Sequence, residues 1–345
     1  MKPRNQTYLY SSVGFIFALL IFWNFYPEEI PVKVEERWKG VCWVGSRNPL
    51  QGGELAALNQ TGANALSQTP FGWQSDPNLP EIRWDMGNDR RWWGETPLGI
   101  QATLDSSSQY QMTNMLKPHL WLRDAWVGEV EMKSEEDWKL WFANYQAFIL
   151  DYARLAEELK MPLLCIGTEL EKTSSREKDW RKVIQEVRKV YTGKLTYAAN
   201  FTEFEQVKFW DALDYIGVQA YFPLAKGHDP SLSELKSSWQ KHLPRVETLV
   251  RRFKKPVIFT EIGYCNTLDA AVEPWVWPHE RKEIPFSEEV QARCYEAFFQ
   301  TAWEKEWMAG VFFWKWYPQA HDRQPDFTPQ GKQAEKVMQA YFSTR

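Results

Sequence analysis

The sequence predicts a (β/α)8 barrel, a parallel eight-stranded sheet closed on itself and wrapped by helices. Three observations point to it. Short apolar runs alternate with longer amphipathic ones along most of the chain. Eight of the short runs read as strands, and 345 residues are enough for one large barrel core. An open doubly wound sheet is the main alternative. It would carry a Gly-rich turn after its first strand, and GSRNPLQGG at 45–53 fits no nucleotide fingerprint.

The candidate strands are 40–44 (GVCWV), 63–68 (ANALSQ), 115–122 (MLKPHLWL), 163–168 (LLCIGT), 195–199 (LTYAA), 215–220 (YIGVQA), 256–260 (PVIFT) and 309–314 (AGVFFW). A helix is expected near 95–112, after a long loop at 70–94 that is rich in Pro, Gly, Trp and Asp and has no clear period. From Ser134 onward, Trp138, Trp141, Phe142, Tyr145, Phe148, Ile149, Tyr152 and Leu155 recur at three- and four-residue steps, one face of a helix. Ser134 with Asp137 makes a capping-box-like start, and Ser174 with Glu177 is expected to open the next helix in the same way. Trp180, Val183, Ile184, Val187 and Tyr191 line that second helix. Residues 235–253, 288–307 and 332–342 supply more.

The N-terminus differs in kind. Residues 8–26, YLYSSVGFIFALLIFWNFY, carry no charge and are about long enough to span a bilayer as a helix. Lys2 and Arg4 precede the run and acidic residues follow it, so the basic end is expected to stay in the cytoplasm. No A-x-A-like site follows, which favours an uncleaved membrane anchor over a signal peptide. The expected plan is an anchor at 1–26, a tether at 27–37 and a barrel domain at 38–345 lying outside the cytoplasm.

A net charge of −4 and the absence of any Lys/Arg block argue against nucleic acid as a partner. Cys42, Cys165, Cys265 and Cys294 show no metal-ligand spacing, so no structural metal is expected. The unusual entry in the composition is aromatic, with 20 Trp, 20 Phe and 14 Tyr. Such rings pack cores, and they also stack on the flat apolar faces of sugars.

Two Thr-Glu pairs each follow an apolar run, in GTELEKT (167–173) and FTEIGY (259–264). A carboxylate at the end of an apolar strand is costly unless it is used or paired. In a parallel barrel the strand ends converge on one mouth. Glu169 and Glu261 therefore belong to one site, and two facing carboxylates are the equipment of glycoside hydrolysis. The competing reading is burial of each in an ion pair with Lys172, Lys254 or Lys315. Trp43, His119, Asn200, Tyr221, Trp314 and Trp316 stand at other strand ends and are candidates for binding a polysaccharide or oligosaccharide. A binding barrel without catalysis is the alternative from another class.

Six motifs, QTPFGWQ (68–74), KPHLWL (117–122), IGTEL (166–170), YIGVQAYFPL (215–224), FTEIGY (259–264) and FFWKWYP (312–318), occur in the order found in glycoside hydrolase family 113, which the chain resembles over about residues 38–342. The resemblance implies a retaining (β/α)8 enzyme of β-1,4-mannanase type that needs no metal or organic cofactor. It implies Glu169 as acid/base, Glu261 as nucleophile, and cleft positions for Tyr221 and Trp314.

Overall fold

The structure is a computed structural model that describes residues 32–87, 92–281 and 283–344. The expected anchor at 8–26 lies outside the described residues. No helix among those described is long and apolar enough to cross a membrane.

Eight parallel strands close into a barrel: β1 (Trp38–Trp43), β2 (Ala65–Gln68), β5 (Thr113–Leu116), β7 (Leu163–Thr168), β8 (Lys194–Asn200), β9 (Ile216–Gln219), β10 (Val257–Ile262) and β11 (Met308–Trp316). Their inward side chains fill the bore with a cluster that includes Cys42, Met115, Leu163, Cys165, Ile258 and Phe312. β9 contributes Gly217, where a Cβ would collide with the Tyr197 carbonyl and crowd Thr196 Oγ1 at 2.6 Å. All four cysteines are buried and free.

The expected third strand at 115–122 is in fact two strands. β5 ends at Leu116, and after Lys117-Pro118 the chain continues as β6 (His119–Trp121) in a separate three-stranded sheet. Part of the expected loop at 70–94 joins it there as β3 (Phe71–Gln74) and β4 (Ile82–Arg83). Proline explains both breaks. Pro70 and Pro118 have no N–H to donate, so neither run continues its barrel ladder through that point. The β3–β6 pair stands above the mouth and pairs Phe71 with His119 and Trp73 with Trp121.

Helices fill most crossovers. They are α1 (Ala56–Gln60), α2 (Pro97–Ser108), α3 (Glu135–Glu158), α4 (Glu171–Ser174), α5 (Glu177–Val190), α6 (Leu232–Phe253), α7 (Glu288–Phe299) and α8 (Gln333–Phe342). Ser134 caps α3 as expected, its Oγ accepting from Asp137 N at 3.1 Å. Ser174 does not cap α5. It is the last residue of α4, and Arg176 occupies the cap position without a side-chain bond. Two further departures appear. β8 and β9 are joined through a short 3-10 turn (Trp210–Ala212) in place of a helix, with Phe204, Phe209 and Trp210 buried in the connection. α7 stops at Phe299 short of the expected 307, because the chain turns to pack Trp303 on Phe299 and Phe342.

Residues 34–38 enter at the N-terminal end of the strands, the end away from the mouth. There Val34 N–H donates to Glu306 O at 2.9 Å, and the Arg37 guanidinium reaches the carbonyls of Trp303 and Lys305.

Behind β7 and β8, Trp180 is fully buried among the rings of Phe142, Tyr145, Tyr197 and Phe209. Its truncation removes a large buried surface and leaves a cavity. Trp180→Ala is expected to destabilise the barrel by about 3–5 kcal/mol in urea unfolding, with the slope of the transition little changed.

Candidate active site

The strand ends and their loops enclose a cavity of about 1070 Å³ lined by Glu169 and Glu261 together. His119, Asn200, Tyr221 and Trp314 line it as well. The structure thus assembles six of the eight site residues proposed from sequence. Trp43 and Trp316 are not brought to it. They face each other in register on β1 and β11 and are 2% and 1% exposed. Trp43 follows the inward-facing Cys42, and period-two alternation turns it away from the bore.

Glu261, near the end of β10, is 4% exposed, and both its carboxylate oxygens are occupied. Lys117 Nζ donates to Oε1, and Tyr221 Oη donates to Oε2 at 2.8 Å. Lys117 is itself fully buried just past β5 and also donates to the Thr260 carbonyl at 3.3 Å. Burial alone would raise the Glu261 carboxyl. The Lys117 charge, helped by hydrogen bonds from Lys117 and Gln219, overcomes this and holds it below the usual carboxylate range. Glu261 is therefore an anion at neutral pH. His119 Nε2 stands 3.6 Å from Glu261 Oε1, but burial and Lys117 push its imidazole down to about 3, so the ring is neutral. It stacks on Trp314 at 6.3 Å and 13°.

Glu169 follows β7 directly and adopts a left-handed backbone with φ 52°, a conformation that costs a non-glycine residue about 1–2 kcal/mol. Its N–H donates to Ala198 O at 2.8 Å, anchoring the turn that carries the side chain into the mouth. Asn200 Nδ2 donates to Oε1 at 2.7 Å and Trp126 Nε1 to Oε2 at 3.2 Å. Burial and the negative charge of Glu261 outweigh these donors and push the carboxyl up to about 7. One carboxyl keeps its proton near neutral pH while its neighbour is bare, the division of labour that acid-assisted displacement requires.

None of the lysines named in the ion-pair reading meets either glutamate. Lys172 pairs with Glu131, Lys254 terminates α6, and Lys315 lies among the rings of Trp277, Trp314 and Tyr317. The true partner is Lys117, which the sequence reading passed over. The signal was present, because a lysine beside Leu116 at the end of an apolar strand is rarely buried unless paired. Trp126 and Glu203 were also missed. Glu203 is fully buried, accepts from Tyr197 Oη at 2.7 Å and Asn200 N at 3.1 Å, and holds Asn200 from behind. Trp121, Trp275 and Trp277 add partly exposed rings to the cavity wall. Among the described residues, no group of three or more His, Cys, Asp or Glu is placed to hold a metal ion.

The family model described as Glycoside Hydrolase Family 113 matches residues 47–332. The chain belongs to that family. It is a glycosidase, and a carbohydrate is its substrate; the binding-only alternative falls. Among solved structures it is similar to a GH113 β-mannanase from Alicyclobacillus acidocaldarius in complex with ManMIm, with 26% identity and a TM-score of 0.78 over 90% of this chain and 98% of that one. A structure of a GH113 β-1,4-mannanase is 25% identical with a TM-score of 0.76, covering 90% of this chain and 100% of that one. A complex structure of a GH113 β-1,4-mannanase, at 24% identity and TM-score 0.77 over 90% and 100%, shows the fold. No curated protein matches.

The charges around the two carboxyls make the pH profile of this glycosidase testable. kcat/KM is expected to fall above about pH 7 as Glu169 loses its proton. Lys117→Met removes the charge that keeps Glu261 ionised, so the acidic limb is expected to move up by about 1–3 units. Trp126→Phe removes a donor that favours ionised Glu169, so the alkaline limb is expected to rise by a few tenths of a unit to about one unit. Unchanged limbs in both variants, with folding intact by circular dichroism, would contradict these assignments.

Proposed function

We propose that the chain is a retaining β-glycosidase acting on β-1,4-mannan or manno-oligosaccharides. The observation that carries this reading is the opposite displacement of two carboxyls in one cavity, Glu169 raised to about 7 and Glu261 lowered. Glu261 attacks the anomeric carbon and forms a glycosyl-enzyme. Glu169 first protonates the departing oxygen, then takes a proton from the incoming water. The donors on Glu261 support its role as nucleophile. Lys117 and Tyr221 occupy both oxygens, which fixes the carboxylate and lowers its basicity, a poor arrangement for a base that must hold a water. Trp314, held parallel to His119, offers a flat face for the sugar ring. The GH113 mannanases at 25–26% identity support mannan as the polymer.

The test is hydrolysis of mannan, glucomannan, xylan and cellulose side by side, with proton NMR of the first-formed product. Mannan is expected to be cleaved fastest, with the anomeric configuration kept. Glu261→Gln is expected to reduce the rate on the order of 10³-fold or more. An inverted product would remove Glu261 as nucleophile.

Residues 8–26 serve in this reading as an uncleaved anchor that holds the barrel outside the cytoplasm. Whole protein is expected to stay with membranes after a high-salt wash, and mature protein beginning at about residue 27 would show cleavage instead.

A further inference from the structure

A second cavity of about 500 Å³ opens at the same end of the barrel, between the loops that follow β1 and β11. Arg47, Trp92, Tyr317, His321 and Arg323 line it together with neutral polar groups such as Gln51, and among the described residues its lining includes no Asp or Glu. A pocket lined by two guanidiniums runs against the chain's net charge of −4. Among the described residues, Arg47 and Arg323 make no ion pair. Arg47 instead lies 4.6 Å from the centre of the Trp92 ring, which holds the guanidinium in place without neutralising it.

Lys315 links this pocket to the catalytic one. Its Nζ is 5.0 Å from the ring of Tyr317, which lines the second cavity, and 5.4 and 5.6 Å from those of Trp277 and Trp314, which line the first. A glycan lying across Trp314 therefore needs only to pass Lys315 to reach Tyr317. A neighbouring acid, Asp326, is already engaged. Asp326 accepts from Tyr317 Oη at 3.3 Å and Thr328 N at 3.0 Å and faces His321 Nε2 at 3.5 Å. Burial lowers the Lys315 ammonium, and Arg323 adds to that against the pull of Asp326 and Glu261. Lys315 and Arg323 thus repel one another beside an occupied carboxylate, and an incoming anion relieves that repulsion.

We propose that the second cavity extends the glycan cleft and accepts an acidic sugar of the same chain, a hexuronate whose carboxylate binds Arg47 and Arg323. Arginine's planar fork suits a carboxylate, and the Tyr317 ring offers a face for the pyranose. The proposal rests on the glycosidase reading for the chain that delivers this sugar.

Calorimetry in the Glu261→Gln background, which leaves ligands intact, compares β-1,4-mannotetraose with the same tetrasaccharide carrying a hexuronate at either end. One acidic form is expected to bind about tenfold or more tighter than the neutral one. That advantage is expected to shrink in about 0.5 M NaCl and to vanish when Arg47→Gln and Arg323→Gln are added. The same pair of substitutions in an otherwise native chain is expected to leave hydrolysis of neutral mannotetraose unchanged. Equal affinities for acidic and neutral forms, or an advantage that survives both substitutions, would overturn the proposal. Inorganic phosphate binding as tightly as the acidic tetrasaccharide would reduce the cavity to a general anion site and overturn it too. If native enzyme cleaves neither tetrasaccharide while the arginine-dependent preference persists, the mannan reading falls and the acidic subsite stands.

Discussion

A lysine and a glutamate buried together at the top of the barrel set the chemistry of the site. Either charge alone would be expelled from so dry a place or neutralised by a shifted proton equilibrium. Together Lys117 and Glu261 persist as ions, and Tyr221 completes the coordination of the carboxylate. The second carboxyl then inherits its state from the first. Glu169 sits in the same cavity, and its proton is retained by burial first and by that fixed negative charge second. The two carboxyls are one electrostatic unit, and a change at Lys117 propagates to both.

The barrel supplies this unit by bringing remote strand ends together, but it does not supply the walls. Those come from departures from the regular barrel. The two proline breaks lift β3 and β6 off the mouth, which sets His119 beside Glu261 and raises Trp121 into the cavity wall. The loop after β10 contributes Trp275 and Trp277, with Trp275 stacked on Phe201 at 5.1 Å. The result is a wide aromatic cleft with a narrow polar floor, the shape that lets a glycan bind by its apolar faces while two carboxyls meet one linkage.

Charge is distributed unevenly around this mouth. The anionic and hydrogen-bonding groups concentrate at β7, β8 and β10. Arg47 and Arg323, without an ion pair among the described residues, gather where the loops after β1 and β11 meet, with Lys315 on the boundary. The first concentration holds the two carboxyls that the proposed glycosidase reaction uses. The second concerns which glycan this chain selects, and it depends on loop residues that the catalytic step does not use.

How much was legible in the sequence follows from the range of each interaction. Period and strand-end position made the barrel readable, and with it Glu169, Glu261, Asn200, Tyr221 and Trp314 as residues of one mouth. Those inferences need only local pattern and the rule that parallel strand ends converge. Trp43 and Trp316 were misplaced because a strand-end tryptophan faces the bore or the helices according to a register that only the folded ladder sets. The two strands at 113–121 were merged because proline announces a break without saying which sheet the chain joins next. Lys117 stayed hidden for the deepest reason. Its partner lies on a strand far away in sequence, so its place at a strand end signals a paired lysine without naming the partner. The sequence by itself determined that Glu169 and Glu261 share one mouth. Tertiary structure alone decided which carboxyl keeps its proton, because that depends on the few ångströms separating charges contributed by different strands.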